Sequence, residues 1–392
     1  MRIAVVCTDL GVRVPGTKGA SLHLTSISTA LQDVGNDVLL VGVRGHGDPP
    51  AGLATLLLDH PGRTAGLRRE LRKIRFTAGL VPRVLPSVAA FAPDVVYERL
   101  ALFGIAGQRL AGACRARHVV EVNALLAQEE AQWRGLRLAA LARQRERHVL
   151  DEADLRLPVS REVAEQVEQV SPNGLTAVLP NGLDDGLFGP RPPRGPSRVS
   201  FGLAVDGPVL AFVGALRPWH GVDVAVRALP ALPEAVLCIA GDGPVRDQLQ
   251  RLAAELGVTG RVRWLGQLPH GDVPRLLAAA DVALAPYPDL PGFGFSPLKL
   301  YEYLGAGVPL VASDLGQIRT VLDSGRWGSL VVPGDPAALA AGVRGVLAAP
   351  STARSRADAA RTMALREHSW RARATRITDL LTDKGVRHAL AG

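Results

Sequence analysis

This sequence predicts an α/β protein built from two doubly wound parallel sheets, on three observations. Short apolar or β-branched runs alternate with helical patterns, the cadence breaks once at a proline- and glycine-rich stretch, and it then restarts. The length of 392 residues exceeds one ordinary hydrophobic core and fits two domains.

In chain order, the first set of strand-like runs covers residues 1–8, 37–43, 94–98, 118–122, 155–160 and 176–179, with helical patterns between them. Such alternation implies parallel strands with helices on both faces. FGPRPPRGPSR, residues 188–198, reads as the linker, which sets a first domain at 1–187 and a second at 199–369. The second set of runs covers 209–214, 236–240, 262–266, 282–286, 310–312 and 330–332. A last helical stretch, at about 370–392, lies beyond the second sheet and can pack back on the first domain. Two sheets of this kind facing each other leave a cleft at the carboxyl ends of their strands, where ligands are expected.

Hydrophobic residues at 47% and charged residues at 21% are those of a packed globular chain and exclude a disordered one. Cys7, Cys114 and Cys238 lie in apolar segments without CxxC spacing, which points to buried thiols in a reducing compartment. No run approaches the roughly 20 apolar residues of a membrane span, and MRIAVVC is followed by polar, glycine-rich sequence rather than a cleavage pattern. The expected location is cytoplasmic, as a monomer or homodimer. The net charge of +8 favours polyanionic partners, but no zinc spacing, aromatic-basic strand motif or basic tail accompanies it, which argues against nucleic acid. Residues 62–76, GRTAGLRRELRKIRF, are basic on several sides, with Leu67, Leu71, Ile74 and Phe76 as apolar members. They suit either a solvated helix over the first sheet or a peripheral contact with the inner face of an anionic membrane.

The segment GFSPLKLYEYLGAGVPLVASD, residues 294–314, carries the most chemistry. Ser296 is expected as N-cap and Pro297 as first helical residue, with Leu298 following; Gly307 and Pro309 end the helix before a short strand at 310–312. Lys299 and Glu302 share one helix face and can touch one ligand. A cation in the first turn opposes the helix dipole by roughly 0.3–1 kcal/mol, a mismatch that an anion there reverses. Free backbone N–H groups make the same place a phosphate site, and a carboxylate one turn further on can accept hydrogen bonds from sugar hydroxyls. The pattern suits a nucleotide sugar, its diphosphate on the helix start and its ribose on Glu302.

The pieces KGASLHLTSISTAL, DVVYERLALFG, VVEVNALLAQEE, ADLRLPVS, LPNGLDDGLF, FVGALRPWHGVD, IAGDGP, VRWLGQL, ADVALAPYP, SPLKLYEYLGAGVPLVASD and LVVPGD follow one another in that order. With them the chain resembles, over nearly its whole length, the retaining glycosyltransferases of family 4, SPLKLYEY marking a subgroup. The resemblance implies the GT-B fold, two Rossmann-like domains facing a cleft whose closure assembles the site. It also implies transfer of a hexosyl or N-acetylhexosaminyl unit from a nucleoside diphosphate sugar, UDP first and GDP next. The acceptor would be a hydroxyl, such as that of a natural product or cell-envelope saccharide. The leaving phosphate would deprotonate that hydroxyl, and neither a metal nor a cofactor is required.

On this resemblance, Glu302 matches the second of two family glutamates, the one that binds ribose, while the first falls on Gly294. The family's diphosphate-binding arginine and lysine fall on Ala215 and His220. Arg217 is therefore expected to replace the lost charge, and His220 to donate a neutral hydrogen bond or carry charge below roughly pH 6.5. Gly214, Leu265, Gly241 and Gly243 complete the donor side, the last two in a turn near the nucleobase. Gly16, Gly19 and His23 follow the first strand, where small residues let backbone approach a ligand. Glu121 and Asn123 stand at a strand end, Asn123 where many members carry a donor-contacting histidine, and they join Glu302, Lys299 and Arg217 as the candidate catalytic set. Glu98, Arg99 and Glu129 are acceptor-side candidates, with salt bridges as their other reading. Asn181 and Asp184 of PNGLDDGLF are expected to stabilise the domain junction. Two other classes share the pattern: a nucleotide-sugar 2-epimerase, and a non-catalytic partner subunit, the latter motivated by Gly294 and Asn123.

Overall fold

A computed structural model describes residues 1–62, 64–290, 294 and 296–382, with the side chains of all of these except Trp133 and Arg134. Arg63 of the basic stretch and residues 383–392 of the expected last helix lie outside the described residues. The chain forms two compact units, the first from Met1–Asn181, Gly294–Ser296 and the chain beyond Ser369, the second from Gly182 to residue 290 and Pro297–Ser369.

The first unit holds seven parallel strands: β1 (Arg2–Cys7), β2 (Arg13–Val14), β3 (Asp37–Arg44), β4 (Ala54–Leu58), β5 (Val95–Arg99), β6 (Arg117–Val122) and β7 (Leu155–Pro158). Their order is β2-β3-β1-β5-β6-β7, with β4 also paired to β3. The second holds β8 (Val209–Val213), β9 (Val236–Ala240), β10 (Val262–Gly266), β11 (Val282–Ala285), β12 (Leu310–Ser313) and β13 (Ser329–Val331), all parallel, in the order β10-β9-β8-β11-β12-β13. Both are Rossmann-like sheets. The winding reverses between β1 and β5 in the first and between β8 and β11 in the second, and crevices open at the carboxyl ends of strands that flank such a reversal.

Three local expectations change. The short strands β2 and β4 were not legible, and residues 176–179 run beside β7 without forming a full strand, Thr176 bridging Arg156 and the Ala177 and Leu179 amides donating to the Arg156 and Pro158 carbonyls at 3.0 and 2.8 Å. The stretch 188–198 is not a free linker. It lies inside the second unit and turns into a helix at Arg194–Ser200, where Arg198 is buried, donating to the Ala279 and Ala204 carbonyls at 3.1 Å and pairing with Asp281 at 2.6 Å. An arginine with that many fixed acceptors is a weld, whatever its proline-rich neighbours suggest.

Helix α1 (Gly19–Asp33) follows β2, and α2 (Gly66–Phe91) follows β4. By length and composition α2 is the one described helix long and apolar enough to cross a membrane, yet Arg75 and Arg83 break its apolar run and it packs as a layer helix on the first sheet. Its Leu80, Val84 and Val88 pack on Ala4, Val6, Val41 and Val96 of the sheet, the i, i+4, i+8 stripe of a layer helix, and Pro82 and Pro86 interrupt it. Its basic half is partly internal. Arg69 and Lys73 pair with Glu130 at 2.9 and 3.7 Å, while Leu67 and Leu71 face outward. The helix Trp370–Thr382 packs on α1 within the first unit, Trp370 meeting His23 edge-on at 4.8 Å.

Candidate functional site

In the second unit the reversal between β8 and β11 places Phe212, near the end of β8, beside Tyr287, just past β11. Lys299 stands over both rings, its Nζ 3.9 Å from the Phe212 centroid and 5.4 Å from that of Tyr287. Its side chain is 92% buried, and the ammonium has no hydrogen-bond partner among the described residues. Burial pushes its pKa from 10.5 down to about 7, against the upward pull of the Glu302 carboxylate. Cation–π contact is worth about 0.5–2 kcal/mol, which offsets only part of the several kcal/mol that desolvating an ammonium costs. An anion beside the ammonium would offset the remainder.

Lys299 reaches this position because it is the second residue of the helix Leu298–Ala306. Gly307, left-handed at φ 68°, ends that helix, as its sequence implies. The start differs from expectation: the helix begins at Leu298 with Pro297 in the N-cap position and no side-chain cap. The Ser296 hydroxyl instead accepts the Asn181 N–H at 3.1 Å, and the Ser296 carbonyl accepts from Asn181 Nδ2 at 2.6 Å. With the Ser296 hydroxyl engaged elsewhere, the Leu300 amide donates to the Pro297 carbonyl at 3.0 Å, while the Leu298 and Lys299 amides have no acceptor among the described residues and can serve an external one.

Glu302 lies one turn beyond Lys299. Its partner is not Lys299 but His270, whose Nε2 is 2.8 Å from Glu302 Oε1. No local sequence signal marks His270, which lies just after β10 in a one-turn helix at His270–Asp272.

Gly214 and Gly241 close the floor. Each adopts a positive φ, 144° and 150°; a Cβ at Gly214 would lie 2.8 Å from the Lys299 ammonium, and one at Gly241 would overlap the Gly214 carbonyl oxygen. Gly243 abuts Leu216 in the same way, and the half-buried Leu265 ends this floor on β10. Arg217 is exposed, its guanidinium 5.7 Å from the Trp219 ring. His220 requires correction. Its Nδ1–H donates to the Ala215 carbonyl at 2.5 Å, leaving a neutral Nε2 that accepts rather than donates. Burial first, then the charges of Lys299 and Arg217, push its pKa to about 3, so the charge expected below pH 6.5 is absent there.

In the first unit, register decides which candidates share a face. Cys7, Arg99 and Glu121 form one row across β1, β5 and β6, and Glu98 lies one residue off it, on the other face. Glu121 is the hub of that row. Oε2 accepts from Tyr97 at 2.6 Å and pairs with His23 Nε2 at 2.7 Å; Oε1 accepts from Arg99 at 2.6 Å and from Asn123 Nδ2. Burial alone would raise its pKa, but His23, Arg99 and Tyr97 together hold it well below the usual carboxylate range. His23 is thereby a buried support rather than a residue open to ligand. Glu98 leaves the acceptor set for the same reason: its carboxylate caps the helix α3 (Ala106–Cys114) through the Gly107 and Gln108 amides at 3.1 and 3.3 Å and pairs with His118 at 2.9 Å. Arg99 and Asn123 remain partly exposed at the strand ends. Gly16 packs tightly on Ser21, Gly19 opens α1, and Glu129 stands in the first turn of α4 (Leu126–Arg134).

A cavity of about 410 Å³ lies elsewhere, at the opposite ends of β11 and β12, lined by Pro193, Arg194, Asp281 and Pro309 among others, without Lys299 or Glu302. The chemistry is not there.

Residues 17–187 match the family described as Glycosyltransferase Family 4, and residues 194–363 that described as Glycosyl transferases group 1. The chain is 34% identical over 263 residues to the GDP-mannose-dependent alpha-(1-6)-phosphatidylinositol monomannoside mannosyltransferase of Mycolicibacterium smegmatis, covering 64% of this chain and 68% of that one. It is 29% identical over 408 residues to a glycogen synthase of Mycobacterium tuberculosis, covering 96% and 93%. Among solved structures it is similar to a sucrose-phosphate synthase from Thermosynechococcus elongatus, with TM-score 0.79, 21% identity and coverage of 100% and 99%. It is also similar to Anabaena HepE in complex with UDP-glucose, with TM-score 0.74, 20% identity and coverage of 97% and 99%. These match the GT-B arrangement of two Rossmann-like sheets, and the sequence matches cover both. The chain therefore belongs to the GT-B glycosyltransferases that join a family 4 amino-terminal domain to a group 1 carboxyl-terminal domain.

Proposed function

We propose that this glycosyltransferase moves a hexosyl or N-acetylhexosaminyl unit from a nucleoside diphosphate sugar, with UDP as the first choice and GDP as the second, to a saccharide or natural-product hydroxyl, with retention. One observation carries the reading: the buried Lys299 ammonium, without a hydrogen-bond partner among the described residues, at the start of the Leu298–Ala306 helix, which no side chain caps. A diphosphate docked there meets a cation and free amides together, and charge developing on the leaving group falls on the same donors. Arg217 supplies a second cation from the rim, and Glu302 takes the ribose hydroxyls. HepE was crystallised with UDP-glucose, and the mycobacterial relative is named for GDP-mannose, which makes these two donors the first to try.

The scheme has no step that needs a metal, so chelator is expected to leave turnover unchanged. The test is release of UDP or GDP from UDP-glucose and GDP-mannose by purified protein. Wild type is expected to release one of them, and Glu302→Gln or Lys299→Met to lower kcat/KM by about 10- to 100-fold, the range for losing a hydrogen bond to a charged group. Folded protein that neither releases nor binds either nucleotide overturns the reading. A changed sugar without release would mean an epimerase instead.

A further inference from the structure

We infer that His270 is a positioning residue for the donor site: it pins one oxygen of Glu302 so that the other is presented to the vicinal hydroxyls of a nucleoside diphosphate's ribose. The inference rests on the reading of Glu302 as the ribose ligand and adds a residue to it that touches no substrate.

The geometry is a relay. Phe188, itself 1% exposed, meets the His270 ring edge-on at 5.9 Å and fixes its plane. His270 Nε2 then holds Glu302 Oε1 at 2.8 Å. Oε2 has no protein partner among the described residues. Phe188 belongs to PNGLDDGLF, and Asp184 of the same motif caps the turn that carries it, accepting from the Leu187 amide at 3.0 Å. This motif thus reaches the donor site through His270. Charged groups around the imidazole come from two other elements, Glu302 on its helix and Asp184 before Phe188; burial lowers the pKa, but the Glu302 hydrogen bond and charge, followed by Asp184, raise it overall. A free glutamate side chain loses up to about 2 kcal/mol of rotamer freedom on being fixed, and a carboxylate already held by His270 has lost it before ligand arrives.

Titration calorimetry with UDP, GDP and inorganic pyrophosphate on the full chain tests this. H270A is expected to weaken the tighter nucleotide about tenfold, as for a lost hydrogen bond to a charged group. H270Q, which can still donate to Oε1, should lose less than about threefold, and pyrophosphate affinity should stay unchanged, because the relay ends at the ribose. In an E302Q background the further change H270A should cost less than about twofold, since contacting partners are not additive. Should H270A fail to fold, H270N, too short to reach Oε1, takes its place. Nucleotide affinity within twofold of wild type in H270A, an equal loss for pyrophosphate, or an undiminished loss in the E302Q background overturns the inference and leaves the proposed function standing. Wild type that binds neither UDP nor GDP overturns the proposed function itself, and this inference with it.

Discussion

Lys299 holds its ammonium over Phe212 and Tyr287 with a pKa brought down to about 7 by burial, so its proton is held far more weakly than that of an exposed lysine. An anion arriving there restores the ordinary preference for the protonated form. The linkage has a definite sign. Binding takes up a proton, and affinity for a nucleoside diphosphate falls as pH rises above about 7, where the free ammonium has lost its proton and the bound one has not. Calorimetry at pH 8 in buffers of different ionisation enthalpy should show uptake approaching about one proton per ligand, and Lys299→Met should abolish it. His220 sits beside this charge and does not share it, because its Nδ1–H is committed to Ala215.

Two loops make the floor of the donor site, one after β8 and one after β9, and they touch only because both turn on glycine. Gly214 N–H donates to the Ala240 carbonyl at 2.9 Å, and Gly241 N–H to that of Gly266 at 2.7 Å, extending the sheet's pairing past its strands. Gly241→Ala puts a Cβ onto the Gly214 carbonyl and strains a φ of 150°, so the loops must part. The expected cost is about 1–3 kcal/mol of stability, read by denaturant unfolding, together with weaker pyrophosphate binding because Lys299 packs against Gly214. A variant with unchanged stability and pyrophosphate affinity would show that these loops do not build the floor. At the same scale the helix Leu298–Ala306 was legible: its Lys299 and Glu302 lie within one turn, and its stop at Gly307 is a local matter of backbone preference.

Across the whole molecule, each unit closes its own core, yet the chain is not two beads in sequence. After the second sheet it re-enters the first unit at Trp370, where Asn36 Nδ2 meets Thr378 at 3.3 Å and Arg117 donates to the Leu381 carbonyl at 2.7 Å. Trp370→Ala is expected to cost about 3–5 kcal/mol, as truncation of a buried aromatic does. Hydrogen exchange should show that loss in β1 and β5, with protection in β8 and β9 unchanged. Loss spread equally over both sheets would mean that the helix does not belong to the first unit alone.

Sequence by itself determined the strand and helix cadence, the doubly wound class and the Lys299–Glu302 pair, because each depends on neighbours within a few residues: period, breaker and helical turn. Tertiary structure alone decided the rest. Glu98 and Glu121 look alike in the chain, but the pleat sends one to cap α3 and the other to gather His23, Tyr97, Arg99 and Asn123. Arg198 welds a segment that reads as linker, and His270 meets Glu302 across 32 residues of chain. Such pairings are set by strand order and register, and no local preference encodes which distant side chain will arrive at a given carboxylate.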